Sequence, residues 1–589
     1  TLMRSSAASD VYKRQGKKEL LYVLISALLI VFQVWLDLKL PDYMNNITTL
    51  LQTEGSKVKD LFNPGSKMLL CALGSLVSSI VVGYFVANVA SNFSRKIRKE
   101  VFTKVEDFSM EEIKKFSTSS LITRTTNDIT QVQMLISMGL QLMIKSPVTA
   151  VWAICKISGK SYEWSIATGG AVLCLLMLIS VVIIFALPRF KRVQKLTDNL
   201  NRITMENLKG IRVVRAYNAE KYEKNKFDKA NNELTNTHLF IEKIMSIISP
   251  WMSLIMSTLT LSIYAIGIYL LNKAALTDKV SIFSNMIVFS SYAMQVVMSF
   301  MMLAIVFVMF PRASVSAKRI LEVLETDVKI KSGSFKEDTN IKGEVEFKNV
   351  SFKYPDAEEY VLKNISFKAS KGETIAFIGR TGCGKSTLIN LIPRFYDATE
   401  GEILIDGVNV KDYDLEYLHN KLGYIPQKAV MFNGTVKENV AYGSNGKKFT
   451  KEKIERSIKI AQAKDFVSKM DKDIDSHIAS GGTNISGGQK QRLAIARAIA
   501  RDPEIYIFDD SFSALDYKTD YVLRKDLKKY TKDATTFIVA QRIGTIKNAD
   551  KILVLEEGKC VGIGTHEELL KKCKEYKEIA LSQFGKEEL

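Results

Sequence analysis

The sequence predicts a membrane protein of two parts: an all-α domain of six transmembrane helices, then an α/β domain with a phosphate-binding loop. Three observations predict this. The chain has 589 residues, which is long for a single domain. It is 25% charged, yet its mean hydropathy is +0.03, so charged and apolar residues must be segregated along the chain. Its long apolar stretches all end by residue 310, and a GxxxxGK[ST] motif follows them.

Composition narrows the class of protein further. The net charge of +19 is explained by the basic cytoplasmic loops of a membrane protein. A nucleic-acid role needs a basic patch with motif or aromatic context, and the sequence has none, so we expect no nucleic-acid partner. The six cysteines show no CxxC spacing, which argues against a disulfide framework or a metal site. Residues 1–15 lack the long apolar core of a signal peptide, and we interpret them as a disordered or non-native tail.

Six apolar segments predict a membrane domain at residues 16–312. They are residues 20–35, 68–94, 134–157, 164–187, 244–272 and 282–310. About 20 apolar residues span a bilayer, so each is a transmembrane candidate, and the first needs its flanks to reach that length. The connections at 95–133 and 188–243 are long and rich in Lys and Arg, so the positive-inside bias places them in the cytoplasm. The pattern of residues 188–243 predicts helices that continue beyond the membrane, with a short turn near Gly210.

Two features of the apolar segments have alternative interpretations. Lys145 lies inside the third segment, before Ser146 and Pro147. It is either a substrate-cavity residue or a structural cation near one leaflet or at the end of a neighbouring helix. The last segment is rich in Met, which suits either an adaptable ligand surface or ordinary helix packing. Its methionines are Met286, Met294, Met298, Met301, Met302 and Met309.

After a polar linker at 313–342, the pattern changes to the short strands and helices of a soluble α/β domain at 343–589. The predicted strands are VEFKNVSFKY, ISFKAS, TIAFI, EILIDG, IYIFDD, TTFIVA and KILVLEEG. The strand TIAFI is followed directly by the glycine motif and then by a helical pattern. This strand–loop–helix order is what a phosphate-binding loop requires.

The motif predicts that the domain binds the phosphates of a nucleotide. Its glycines let backbone N–H groups surround a β-phosphate, and the following helix N-terminus adds a positive dipole end. Lys385 supplies a charge to the β- and γ-phosphates, and the Ser386 hydroxyl is a candidate Mg²⁺ ligand. The candidate nucleotide-binding residues of the loop are Gly379, Arg380, Thr381, Gly382, Cys383, Gly384, Lys385, Ser386 and Thr387.

Three residues elsewhere extend this candidate site. Tyr354 lies on an early strand, and we interpret its ring as a platform for adenine, although a single Tyr in such a place is usually part of a core. Asp509 and Asp510 end the buried run IYIF. A carboxylate at the tip of a buried strand suits an outer ligand for phosphate-bound Mg²⁺, which we assign to Asp509. In sites that hydrolyse nucleotides, the residue after such a carboxylate normally positions or polarises the water that attacks the phosphate, and here that residue is Asp510.

The motif between these elements carries a family resemblance. It is ISGGQ, formed by Ile485, Ser486, Gly487, Gly488 and Gln489, and KQRLAIARAIA follows it. Together with GRTGCGKST, Gln427 in YIPQ, IFDD and SALD, it resembles the nucleotide-binding domain of ATP-binding cassette (ABC) proteins. FSTSSLITRTTNDITQVQ and ENLKGIRVVRAYNAEKYEKNKF resemble the cytoplasmic loops of exporter-type half-transporters. The resemblance implies a six-helix all-α exporter-type transmembrane domain plus an α/β P-loop ABC nucleotide-binding domain.

The resemblance also implies a mechanism that uses ATP and Mg²⁺. Two nucleotide-binding domains dimerise head to tail, so the phosphate loop of one faces the signature of the other. ATP closes this dimer, and hydrolysis releases it. The signature residues Ser486, Gly487, Gly488 and Gln489 would therefore complete a catalytic site in trans, at a helix N-terminus. Gln427 would sense the γ-phosphate, and the implied Mg²⁺ ligands are Ser386, Gln427 and Asp509.

Two positions depart from the family pattern. Active members usually carry Glu after the magnesium Asp and His in the strand-end motif before Arg, whereas this chain has Asp510 and Gln541. The shorter carboxylate should stand back from the water, and Gln cannot become cationic as His can. Because a base or positioning group contributes roughly 10²–10⁴-fold to a rate, we predict a slow site with Asp510, Gln541 and Gln427 as its catalytic residues. Nucleotide binding should survive, because the phosphate loop is intact.

The leading hypothesis is a heterodimeric exporter in which this chain holds the degenerate ATP site and a second ABC half-transporter holds the catalytic one. A homodimer with two weakened sites, an ATP-gated regulator that does not pump, and an importer are the alternatives. The resemblance implies a multi-pass protein of the cytoplasmic membrane, in contact with lipid, with its nucleotide-binding domain in the cytoplasm. The implied cargo is a small amphipathic compound: a drug, a lipid or a peptide.

Overall fold

The computed structural model describes residues 17–52, 57–158, 162–443 and 449–583. The chain forms two compact units. The first contains the chain as far as Glu106 together with Ser117–Thr326, and the second contains Asp107–Phe116 and the chain from Asp327 onward. The tail predicted at residues 1–15 lies outside the described residues.

The first unit is all-α. Its helices and that of the connecting segment Asp107–Phe116 are, in chain order, α1 (Lys17–Gln52), α2 (Val58–Glu106), α3 (Met110–Phe116), α4 (Thr118–Thr125), α5 (Asn127–Met134), α6 (Leu140–Ser158), α7 (Tyr162–Ala216), α8 (Glu220–Lys273) and α9 (Leu276–Leu324). A π-helical turn, Leu135–Gly139, joins α5 to α6. Within the described chain, six helical stretches are long and apolar enough to cross a membrane, and they confirm the six predicted spans.

The helices run well past the membrane, as predicted, but one turn lies elsewhere. Helix α7 has 55 residues, which at about 1.5 Å per residue far exceeds a hydrocarbon core of about 30 Å. The turn predicted near Gly210 is wrong, because α7 continues through that residue to Ala216. Asn218 takes the left-handed conformation with φ 50°, and the Ala219 N–H donates to the Val214 carbonyl at 2.8 Å. This is a helix C-terminal cap, which Asn can form, whereas a single Gly inside a helix costs only about 1 kcal/mol.

Charged residues inside the membrane unit are paired across helices. The Lys145 ammonium of α6 lies 3.3 Å from the Asp37 carboxylate of α1. Further along α6, the Lys156 ammonium lies 2.8 Å from the Asp42 carboxylate of α1. The same carboxylate accepts a hydrogen bond from the Tyr292 hydroxyl of α9 at 2.6 Å. Uncompensated charge is expensive in a bilayer, so these pairs join α1 to α6 and α9. The arrangement fits the interpretation of Lys145 as a structural cation.

The second unit is α/β. Its strands are β1 (Val345–Phe352), β2 (Leu362–Ala369), β3 (Thr374–Gly379), β4 (Glu400–Ile405), β5 (Val408–Asn409), β6 (Leu422–Ile425), β7 (Gly434–Thr435), β8 (His477–Ile478), β9 (Ile505–Asp509), β10 (Thr535–Val539), β11 (Lys551–Glu556) and β12 (Lys559–Gly564). Its helices are α10 (Lys385–Leu391), α11 (Leu415–Asn420), α12 (Val436–Val440), α13 (Lys451–Ile460), α14 (Lys464–Val467), α15 (Gly487–Arg501), α16 (Tyr517–Tyr530), α17 (Ile543–Ile546), α18 (His566–Lys572) and α19 (Lys574–Gln583). All seven predicted strands are present.

Two sheets organise this unit. One is antiparallel, in the order β2-β1-β4-β5, and the other has the order β12-β11-β3-β10-β9-β6. In the second sheet β11, β3, β10, β9 and β6 are parallel and β12 is antiparallel. Both faces are covered: along β3, Ile375 and Phe377 pack into one core, whereas Ala376 and Ile378 pack into another. This explains why the strand reads as a continuous apolar run.

The register of the parallel strands positions the candidate site. Val539 of β10 pairs with Phe377 of β3 on one side and with Asp509 of β9 on the other. The segments that follow these three strands therefore leave the same edge of the sheet. The carboxyl ends of parallel strands are where α/β sheets bind ligands.

Candidate functional site

The phosphate-binding loop connects β3 to α10, as predicted. Gly384 is the N-cap of α10 and has φ 98°. A Cβ at this residue would lie 2.8 Å from the Leu362 Cδ2 atom, so both conformation and space require glycine. The backbone N–H groups at the start of α10 have no side-chain cap, which leaves them for an anion.

The Lys385 side chain stabilises the phosphate-binding loop through hydrogen bonds to its backbone. Its ammonium donates to the Gly379 carbonyl at 2.8 Å and to the Arg380 carbonyl at 2.9 Å, and it lies 3.5 Å from the Cys383 thiol. The Lys385 side chain is buried, so the loop wraps a cation. A buried ammonium beside uncapped N–H groups at the start of α10 fits the phosphates of a nucleotide.

The predicted metal ligands Ser386 and Asp509 lie together. The Ser386 hydroxyl donates to an Asp509 carboxylate oxygen at 2.8 Å. Burial raises the pKa of Asp509, the Ser386 hydrogen bond lowers it, and the neighbouring Asp510 charge raises it again. A hydroxyl and a carboxylate are hard oxygen donors that suit Mg²⁺, which usually takes one or two protein ligands and fills its shell with waters and phosphate oxygens. With two protein oxygens, the pair fits an ion that is also bound by phosphate.

Asp510 is held by two glutamines. Its Oδ2 atom accepts a hydrogen bond from the Gln427 amide at 3.3 Å and another from the Gln541 amide at 2.9 Å. The residue is 7% exposed, and burial raises its pKa while the Gln427 bond and the charges of Lys385 and Arg542 oppose that rise. The three predicted catalytic residues of the chain's own site therefore meet at one carboxylate. Both partners are amides, which donate hydrogen bonds but take up no proton at neutral pH.

Gln427, the third predicted Mg²⁺ ligand, contacts the neighbouring carboxylate. Its described side-chain hydrogen bond goes to Asp510, whereas the Ser386 bond goes to Asp509. The backbone of Gln541 is held by α19, because its carbonyl oxygen accepts a hydrogen bond from the Gln583 side-chain amide at 2.7 Å. The amide that reaches Asp510 thus comes from a residue whose backbone is fixed.

The signature lies at a helix N-terminus, as predicted. Ser486 precedes α15 as its N-cap, and Gly487 and Gly488 open the helix. Ser486 and Gln489 form a capping box: the Gln489 side chain accepts from the Ser486 N–H at 2.8 Å, and the Gln489 N–H donates to the Ser486 hydroxyl at 3.3 Å. Within the described chain, no hydrogen bond joins this segment to the phosphate loop. Ser486 and Gly487 are exposed, which suits a surface that meets another molecule.

Tyr354 contacts the phosphate loop. Its hydroxyl lies 3.1 Å from the Thr387 hydroxyl at the start of α10, and its ring packs edge to face with Phe352 and Tyr396. The site also contains a residue that the sequence did not indicate: the Lys114 ammonium of α3 lies 4.5 Å from the centre of the Tyr354 ring. About 240 positions separate these residues along the chain, and no sequence pattern could have paired them.

The methionines of the last membrane helix have mixed environments. Met286 is buried, whereas Met294, Met298 and Met302 are exposed. Met301 and Met309 line an apolar cavity of about 250 Å³ between α7, α8 and α9. The rest of its lining comes from α8 (Met245, Ile248 and Met252), from α9 (Ala304 and Ile305) and from the branched side chains of α7: Leu175, Leu178, Ile179, Val182 and Ile183.

Comparisons with known proteins agree with this architecture. The profile of the ABC transporter transmembrane region matches residues 20–323, and the ABC transporter profile matches residues 362–513. An uncharacterised ABC transporter ATP-binding protein of Mycobacterium tuberculosis is 36% identical over 528 residues, covering 87% of each chain. The ATP-dependent lipid A-core flippase of Aliivibrio fischeri is 32% identical over 517 residues, covering 86% of each. A bacterial Atm1-family ABC exporter with ATP bound is 22% identical and superposes with a TM-score of 0.82, covering 96% of this chain and 99% of that one, which shows the shared fold.

Proposed function

The chain belongs to the ABC transporter family as an exporter half-transporter with fused membrane and nucleotide-binding domains, and we propose that it is one subunit of a heterodimeric exporter. It is an ATP-hydrolysing translocase of a membrane, with six spanning helices and a C-terminal cytoplasmic nucleotide-binding domain. In the proposed assembly its own phosphate loop forms a slow ATP site, and its signature completes the faster site of the partner.

The observation that carries this proposal is the engagement of Asp510 by Gln427 and Gln541. Two amide hydrogen bonds on the Oδ2 atom fix the orientation of the Asp510 carboxylate and lower its basicity, which opposes its use to orient or deprotonate water. Gln541 also stands where an ionisable His would be, so no imidazole faces the reacting phosphate. Two substitutions therefore weaken the same step, and they do so without touching the phosphate loop.

The proposed nucleotide-binding residues, unlike the hydrolysis residues, match the family pattern at every position. The phosphate loop with Lys385 would hold the phosphates, Ser386 and Asp509 would hold Mg²⁺, and Tyr354 would receive the base. Bound Mg²⁺ would neutralise phosphate charge. Binding without rapid hydrolysis is thus the behaviour expected of this site, and it suits a site whose ATP keeps two nucleotide-binding domains together.

The signature supports a role in trans. Ser486 and Gly487 are exposed at the N-terminus of α15, and Gly488 follows them half-buried, so an anion can reach this helix end. Because the signature of this chain is intact while its own hydrolysis site is impaired, we infer that the signature acts at the ATP site of a partner subunit. We propose that the Ser486 hydroxyl and the first N–H groups of α15 complete the γ-phosphate cradle of the second half-transporter.

We infer that the cargo is amphipathic, with lipid as the favoured class. The cavity between α7, α8 and α9 is lined almost wholly by apolar side chains, including Met252 and Met301. Thioether side chains adapt to irregular apolar ligands, and an acyl chain has this chemistry. The ATP-dependent lipid A-core flippases among the relatives carry a lipid in their name, which supports the same class.

The experiment that tests the proposal is ATP hydrolysis by the purified chain in proteoliposomes, alone and then with a second half-transporter from the same organism that carries Glu and His at the two catalytic positions. We expect turnover near background for the chain alone and robust turnover for the pair, with vectorial lipid or drug flux into inverted vesicles. Robust turnover by the chain alone, lost on Asp510→Ala, would identify a working homodimer and contradict the proposal. Conformational change on ATP binding with no flux from the pair would identify a regulator instead.

A further inference from the structure

Helix α3 brings a cation to the proposed base platform. The Lys114 ammonium lies 4.5 Å from the centre of the Tyr354 ring and 5.4 Å from the centre of the Tyr396 ring. The two rings are themselves perpendicular, with centroids 5.3 Å apart. Lys114 therefore sits in the angle between two tyrosines, a geometry in which the ring quadrupoles attract a cation. A hydrogen bond with Tyr396 raises the pKa of Lys114, so the cation is fully charged at neutral pH.

The Tyr354 ring is fixed at several points. Its hydroxyl pairs with Thr387 of the phosphate loop at 3.1 Å, Phe352 meets it edge to face at 5.0 Å, and Lys114 lies over a face. Residues of an aromatic platform that are already ordered do not lose freedom when a base arrives. Lys114 thus belongs to the set of contacts that hold the platform ready.

The position of α3 is also fixed within the second unit. Glu111 forms an ion pair with Lys329, and the buried Glu112 accepts a hydrogen bond from the Ser109 N–H at 2.8 Å and another from the Lys329 N–H at 3.4 Å. Lys114 is therefore presented by a helix that is tied at its start to the segment after α9. The contact with Tyr354 is one of several that seat this helix.

We propose that Lys114 is a positioning residue for nucleotide binding, which holds Tyr354 as a stacking platform and so links the base of ATP to helix α3. This rests on the proposed role of Tyr354 as the adenine platform. A base stacked on Tyr354 and an ammonium on the same ring share one π-system, and the cation withdraws electron density from the face that the electron-rich adenine meets. Coupling between two binding events is reciprocal. If the Lys114 contact increases the affinity for ATP by a given factor, bound ATP therefore stabilises the packing of α3 against the second unit by the same factor.

The test measures nucleotide affinity of the full chain in lipid nanodiscs, without turnover. The variant is Lys114→Met, which keeps the length of the side chain but not its charge, and the probes are Mg-ATP and Mg-tripolyphosphate, which lacks a base. We expect Lys114→Met to raise the dissociation constant for Mg-ATP about 3- to 10-fold, the range of an exposed to partly desolvated cation–π contact, and to leave that for Mg-tripolyphosphate unchanged. Lys114→Arg should restore the wild-type value, because a guanidinium also binds an aromatic face.

The matched control is Lys115→Met, since the Lys115 ammonium lies in the same helix but 5.8 Å from the Phe116 ring. This variant should bind both probes as the wild type does. Unchanged or tighter ATP binding by Lys114→Met would overturn the inference, and so would an equal loss for tripolyphosphate, which would mean simple attraction of phosphate charge.

A double-mutant cycle separates the inference from its premise. In a Tyr354→Leu background, the Lys114→Met change should have no further effect on ATP affinity. If Tyr354→Leu itself leaves ATP affinity unchanged, the platform role of Tyr354 fails and this inference fails with it, whereas the proposed heterodimer is untouched. If Tyr354→Leu weakens ATP binding but Lys114→Met does not, only the role of Lys114 is overturned.

Discussion

Replacing Asp510 with Glu and Gln541 with His should turn the slow ATP site into a fast one. In the structure, the Asp510 Oδ2 atom accepts amide hydrogen bonds at 3.3 and 2.9 Å. A hydrogen bond to a charged group contributes about 1.5–3 kcal/mol, so freeing this oxygen costs about 3–6 kcal/mol. At 1.4 kcal/mol per decade this corresponds to about 10²–10⁴ in rate. Both glutamines are exposed to solvent, so we take the lower end, about 10²-fold.

The geometry indicates that both changes are needed. Glu adds one methylene, about 1.5 Å of reach, which carries the carboxylate beyond the two amides. His at 541 replaces one of those amides with an imidazole, which can become cationic next to phosphate. The double variant should therefore exceed the product of the two single variants, because the residues share one hydrogen-bond network.

The assay uses this chain alone, since its signature is intact and two copies of the double variant would contain two complete sites. ATP turnover is measured in densely reconstituted proteoliposomes, with cysteine crosslinking to verify that the copies pair. We expect background turnover for the wild type and a rise of about 10²-fold for Asp510→Glu with Gln541→His. The reasoning is refuted if the crosslinked double variant binds ATP normally yet hydrolyses it no faster than the wild type.

Three other outcomes follow from buried or membrane-embedded charge. Lys421→Met should destabilise the nucleotide-binding domain by about 3–5 kcal/mol, because it leaves the Asp406 carboxylate, 3.0 Å away and fully buried, unpaired; an unshifted melting temperature would contradict this. Lys145→Met should lower the yield and melting temperature of the detergent-purified chain, because it strands Asp37, 3.3 Å away, in the membrane; the double change with Asp37→Asn should recover most of the loss, and no recovery would show that the pair is not the cause. Burial raises the pKa of Asp510 in the folded chain, so its contribution to the free energy of unfolding falls as pH rises through that pKa. Asp510→Asn should therefore melt at a higher temperature than the wild type at pH 7 and at the same temperature below about pH 3; equal melting at pH 7 would contradict this.

Much of the architecture could be predicted from the sequence, because the relevant signals are local. A charge-free apolar run needs no partner to be recognised as a membrane helix. A buried parallel strand such as β9 is apolar up to its last residue, Asp509, since both of its faces are covered. The signature helix was predictable for the same reason, because Ser486 and Gln489 form their capping box within three residues.

The misplaced elements depend on weaker local preferences. The turn between α7 and α8 is at Asn218, which adopts φ 50°, and not near Gly210, since glycine permits a turn without requiring one. The short strand β6, Leu422–Ile425, was absent from the prediction. It is only four residues long and pairs with β9, some 80 positions away, so its partner is invisible to any local pattern.

Contacts between distant segments could be predicted only where motifs assigned two residues to one role, as with Ser386 and Asp509 at the proposed Mg²⁺ site. Gln427 and Gln541 were each assigned to the slow site, but no sequence pattern indicated that both amides would donate to one Asp510 oxygen. That geometry follows from parallel strand order, which brings the ends of β6, β9 and β10 to one edge. Lys114 beside Tyr354 is a similar case, since α3 lies in a connection between membrane helices and joins the second unit only through tertiary packing.

The most direct measurement of the central claim compares two substitutions in the assembled pair. Steady-state ATP turnover is measured for the heterodimer with Ser486→Ala in this chain and, separately, with Asp510→Ala in this chain. We predict that Ser486→Ala reduces turnover by at least about 10-fold, because it removes a group from the partner's catalytic site, whereas Asp510→Ala changes it less than about 2-fold. The reverse pattern, with Asp510→Ala abolishing turnover and Ser486→Ala tolerated, would contradict the division of labour proposed for the two sites.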